Sequence, residues 1–140
     1  MTSTILPLSG LLIFLSVLSI MGPASVYAAP DVTGHWSGTF NSNHSDVPSF
    51  TLDINIKKDM TGIITGNSTL TSKCLKGATL QVKVDGSNVV LAGSDDQGDN
   101  MTVRGSLDDS GTLLTSTYIL NGSATGGCET DDGTGTLTKN

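Results

Sequence analysis

A chain of 140 residues has room for one domain, and a net charge of −6 with a pI near 4.4 argues against a polyanionic partner, so no nucleic acid is expected. All seven Lys and Arg residues lie at or after Lys57 and all thirteen acids at or after Asp31, so the stretch before Asp31 carries no charged side chain. That stretch belongs to a different class from the rest.

Residues 11–20 form an apolar run of the length found in secretory leaders, and Val26, Tyr27 and Ala28 ahead of Ala29 and Pro30 fit a small-residue cleavage site. Residues 1–28 therefore read as a signal peptide and residues 29–140 as the folded domain. The chain is expected to be secreted, extracellular or periplasmic. The alternative is an uncleaved anchor, because no Lys or Arg precedes the run and residues 5–21 are nearly long enough to span a bilayer. Only in that case is a membrane contact expected.

Past the leader there is no helical periodicity, and Gly, Ser, Thr, Asp and Asn punctuate the sequence every few residues. Eight strands are expected, at 34–40, 49–57, 61–70, 76–84, 88–93, 100–107, 112–120 and 133–139. Alternation sets their faces: Phe50, Leu52, Ile54 and Ile56 against Thr51, Asp53, Asn55 and Lys57 is the clearest case. Leu80, Val82 and Val84, and Met101, Val103 and Leu107, repeat it. Eight strands with one apolar face each can close into a single all-β, antiparallel, up-and-down barrel, which leaves no edge exposed.

The connections give the barrel two different ends. Lys58-Asp59, Asp85-Gly86-Ser87 and the turn from Asp108 to Gly111 are short, whereas 41–48, 71–75, 94–99 and 121–132 are long. In an up-and-down barrel alternate connections share an end, so the long ones form one rim. Cys74 and Cys128, the only cysteines, fall in two of them. An even count in an exported chain points to a disulfide, which by the chain-entropy model would stabilise a domain of this size by about 4 kcal/mol. Two free thiols or a two-Cys metal site is the alternative.

Gly34-His35-Trp36 opens the first strand with Gly-x-Trp, and Lys139 stands on the last. In these features the chain from Ala29 resembles the lipocalin and avidin group of eight-stranded barrels. The resemblance implies that Trp36 closes one end beside the basic residue, and that the opposite mouth admits a small molecule. Trp36 is the only tryptophan and no C-terminal helix follows, so the barrel is carried over and the ligand is not.

The expected role is a secreted binding module for a small, mainly apolar ligand entering at the long-loop rim. Its candidate lumen is lined by Phe40, Phe50, Leu52, Leu80, Val82, Met101, Val103 and Tyr118. With aromatics at 4% of the chain, aliphatic side chains must do most of the filling, and an eight-stranded barrel can be packed shut by its own residues. The alternative is a protein-binding module such as an exported inhibitor, or a structural or adhesive surface protein. No enzyme is expected, since there is no Gly-x-Ser-x-Gly elbow, neither His35 nor His44 has a spaced partner, and no inward carboxylate is inferred.

No cofactor is expected. Asp95, Asp96 and Asp99 resemble an acidic calcium loop in composition alone, with the glycine misplaced for an EF-hand, although Asp46, Glu129, Asp131 and Asp132 share their rim. Asn43, Asn67, Asn100 and Asn121 open Asn-x-Ser/Thr sequons whose use depends on the host.

Overall fold

The computed structural model describes residues 28–70, 75 and 77–140. Eight strands run through them: β1 (Gly34–Ser42), β2 (Phe50–Lys58), β3 (Ile64–Leu70), β4 (Thr79–Asp85), β5 (Asn88–Ser94), β6 (Asn100–Leu107), β7 (Leu113–Asn121) and β8 (Asp131–Lys139). Each pairs antiparallel with the next, and β8 returns to β1 with Lys139 opposite Trp36 and Gly133 opposite Ser42. The sheet is a closed up-and-down barrel, the architecture that the alternation and turn spacing predict. Residues 1–27 of the signal peptide expected at 1–28, and Cys74, lie outside the described residues.

Burial follows the period of two. On β7 every second residue is buried, and on β2 Phe50, Leu52, Ile54 and Ile56 point inward. Strand ends depart from expectation where side chains intervene. The tight turn expected at Lys58-Asp59 is a longer one over 59–63, because the Asp59 carboxylate accepts the N–H groups of Thr61 (2.8 Å) and Ile63 (2.9 Å). β3 therefore starts at Ile64, three residues late. At the other extreme, β8 starts at Asp131, two residues early, and turns that carboxylate inward.

The connections sort as their lengths require. Residues 43–49, 75, 77–78, 95–99 and 122–130 share one rim; 59–63, Gly86 with Ser87, and 108–112 share the other, together with the start of β1 and the end of β8. At this tight-turn end Trp36 is buried, its indole Nε1 donating to the carbonyl of Val32 at 2.9 Å. The chain before β1 thus crosses the barrel floor as a strap. Lys139 fastens it, donating from Nζ to the carbonyl of Asp31 at 2.8 Å while lying 6.0 Å from the centroid of the Trp36 ring. Gly34 sits at φ +121°, a conformation that side chains rarely adopt, so the backbone requires the glycine of Gly-x-Trp.

Candidate functional site

The long-loop rim is assembled above an aromatic layer. Phe40 from β1, Phe50 from β2 and Tyr118 from β7 meet with ring centroids 5.2 to 5.5 Å apart, the two Phe rings stacked and Tyr118 edge-on to both. Three rings fit because β8 opposes them with glycine: a Cβ on Gly135 would lie 2.2 Å from the Phe40 ring, and one on Gly133 would lie 2.8 Å from the Tyr118 ring. The run Gly133-Thr134-Gly135 is therefore cut to the aromatics it faces. Leu75, from the 71–78 connection, is buried in the same core at φ +55°, a left-handed conformation that costs a leucine of order 1 kcal/mol and is held by its packing.

All eight residues expected to line a lumen point inward and belong to one packed cluster. None exposes more than 9% of its surface, and Phe40, Leu52, Leu80 and Val103 expose none. A cavity of ligand size among these side chains would register as exposed interior surface, and they have almost none. Below them, the void lined by Val32, Trp36, Ile56, Val89, Leu91, Leu107, Leu114 and Leu137 measures about 10 Å³, and pockets for drug-sized ligands begin near ~300 Å³.

The interior does contain a carboxylate, against the sequence expectation. Asp131 is buried, accepting the Tyr118 hydroxyl at 2.5 Å on one oxygen and the Ser42 hydroxyl at 2.6 Å on the other. Burial, and next the bond to Asp131, push the Tyr118 phenol well above its ordinary pKa, so it stays a donor. Ser42 Oγ also accepts the backbone N–H of His44 at 2.9 Å. This ties the inner network to the rim, where Asp132 accepts from Asn43 at 2.6 Å and pairs with His44 at 3.2 Å. Those two contacts hold the Asp132 carboxyl below its usual range. On the outer wall His35 lies 3.3 Å from Asp53. Both histidines thus have exposed carboxylate neighbours that sequence spacing does not reveal.

The acidic stretch at 95–99 is occupied by its own loops. Asp95 accepts the N–H groups of Gln97 (2.9 Å) and Asp99 (3.0 Å), while Asp96 is exposed. Asp99 is wholly buried and accepts three backbone N–H groups from the neighbouring connection: Ser123 at 2.6 Å on Oδ1, and Gly127 at 2.9 Å and Cys128 at 3.1 Å on Oδ2. The Ser123 bond is the main cause of a lowered Asp99 pKa. A Cβ on Gly126 would stand 2.0 Å from the same carboxylate, and one on Gly122 would stand 2.1 Å from the Cys128 carbonyl, so each of these glycines answers to a different close approach. Among the described residues no three His, Cys, Asp or Glu side chains gather as a metal site.

Of the sequons, Asn43, Asn67 and Asn121 are exposed, and half-buried Asn100 accepts from Asn121 across β6 and β7 at 3.0 Å. Cys128 is buried at the rim, at the end of the segment that Asp99 holds. No family model matches the chain, and neither does any curated protein or solved structure compared with it.

Proposed function

We propose that this protein is an exported binding module, lipocalin- and avidin-like in architecture, that engages a partner protein through its long-loop rim. The observation that supports this reading over a ligand held in the lumen is the near-zero exposure of the inward side chains. A small apolar molecule would have to displace the Phe40, Phe50 and Tyr118 layer to enter. The rim, by contrast, offers four connections on a closed scaffold, and loops carried by a rigid frame are where binding residues concentrate. A Cys74–Cys128 disulfide belongs to the same reading: it would join the 71–78 and 122–130 connections across the mouth and fix their relative positions. Its formation would lower the mass of the protein by two hydrogens relative to the reduced chain.

The test is chemical cross-linking in the protein's own host, comparing the parent with a variant in which residues 43–48 are replaced by Gly and Ser and with one altered only in the 108–112 turn. A partner captured by the parent and the turn variant, and lost with the 43–48 replacement, is the expected result. Capture that survives that replacement and disappears with the turn variant would place binding at the wrong end.

A further inference from the structure

The barrel closes unevenly. β2 and β3 pair over seven positions, from Leu52 with Leu70 to Lys58 with Ile64, and β4 and β5 pair over seven, from Thr79 with Ser94 to Asp85 with Asn88. Between them β3 and β4 pair at three: Thr65 with Gln81, Gly66 with Leu80 and Asn67 with Thr79. A further backbone bond, Ser68 N–H to the Ala78 carbonyl, lies toward the long-loop rim. In the other direction the Thr65–Gln81 pair brings Val82 against Ile64, the first residue of β3, and β4 then runs on through Lys83, Val84 and Asp85 with no residue of β3 opposite, because Asp59 has folded the chain before Ile64 into a turn.

Parity gives the direction of the backbone groups along that stretch. Asp85 and Asn88 flank the two-residue turn Gly86-Ser87, so Asp85 exchanges its hydrogen bonds with β5, and the direction alternates from there. Val82 and Val84 thus aim their backbone groups toward the β3 side, the same side on which Ala78 meets Ser68, and of the two only Val84 lies beyond the end of β3. A strand edge of this kind is a template for another strand. Beside it lies a groove of about 730 Å³ lined by Ile56, Lys57, Lys58, Ile64 and Val84 from the sheet and by residues 29–33 of the segment before β1. Ile64 and Val84 are only partly buried against the core, and Met60 and Ile63 on the adjoining turn are exposed.

The sequence of this edge is complementary to itself. In an antiparallel pair with a two-fold axis at Val84, Val84 meets its twin and exchanges both backbone hydrogen bonds. Lys83 then stands opposite Asp85 of the second copy, and Asp85 opposite Lys83 of the second copy. Both side chains are on the exposed face, and opposite charges directly across a strand pair are favourable whereas like charges are not. A uniformly acidic or uniformly basic foreign strand would set one of the two against a like charge. We propose that a second copy of this chain occupies the edge, giving an isologous dimer joined at the tight-turn ends through β4. Both long-loop rims then face outward, and two linked rims bind a multivalent partner more tightly than one.

Sedimentation equilibrium of the purified protein, with Lys83→Asp, Asp85→Lys and the double variant, tests the pairing. The parent should dimerise reversibly, each single reversal should weaken the dimer at least about tenfold, and the double variant should recover it, since the reversal restores both opposite-charge pairs. In the parent, exchange of the Val84 amide should slow as concentration rises. A parent monomeric up to millimolar concentration, single variants that dimerise like the parent, or a Val84 amide whose exchange ignores concentration would overturn the proposal.

Discussion

Tyr118 and Asp131 bring a hydroxyl and a carboxylate together inside a barrel whose other inward residues are apolar side chains, glycine and two serines, Ser68 and Ser116. Tyr27 and Tyr118 are the only tyrosines, so in the chain from Ala29 the phenol absorbance reports Tyr118 alone. Its pKa in the fold is raised above the ordinary 10.0, chiefly by burial. The stability tied to it is therefore fully present below pH 10 and is lost as pH rises through the higher folded value. Spectrophotometric titration should show no tyrosinate near pH 10 while the barrel remains folded, with ionisation arriving together with unfolding. A clean step near pH 10 in folded protein would mean that the ring reaches solvent. At the other end, Trp36→Ala removes the floor of the core and should destabilise by about 3 to 5 kcal/mol, read from denaturant melts. Trp36 and its partner Lys139 are legible in the sequence from Gly-x-Trp. Asp131 is not, because its inward direction depends on β8 starting two residues before the apolar alternation does.

Among the elements, the strands are the legible part, since Phe50 to Ile56 or Leu114 to Leu120 can alternate in only one way once a face is buried. The connections are less so, because aspartates far apart in role look alike in sequence. Asp59, Asp95 and Asp108 each pin their own turn, whereas Asp99 reaches across to the 122–130 connection. The glycines at 122, 126 and 127 hint at a tight loop, and nothing local says that a carboxylate 27 residues before Gly126 is what the loop wraps. Asp99 has a pKa below the ordinary 3.8, so what it contributes is complete above that pH and is lost as pH falls through the lower folded value. Asp99→Asn puts an N–H₂ group against backbone donors, and should speed hydrogen exchange at the Gly127 and Cys128 amides by at least about tenfold at neutral pH. Once the intrinsic pH dependence of exchange is divided out, the parent should lose the same protection only in acid. Equal rates in parent and variant at neutral pH would show that other contacts hold this segment.

At the scale of the molecule, the division into a tight-turn end and a long-loop end follows from connection lengths alone, and the closed sheet obeys it. What connection lengths do not convey is how completely the interior is filled. That depends on Gly133 and Gly135 yielding space to Tyr118 and Phe40 from other strands, and on Leu75 folding back over the core, both of which are decided by contacts between residues distant in sequence. The account rests on this filling, because a solid barrel leaves the rim to do the binding. Native mass spectrometry of the protein recovered from its own host measures it most directly. The predicted result is a mass accounted for by whole polypeptides, single or paired, with their covalent modifications and no bound small molecule. A stoichiometric small apolar molecule, held in the folded protein and released on denaturation, would contradict it.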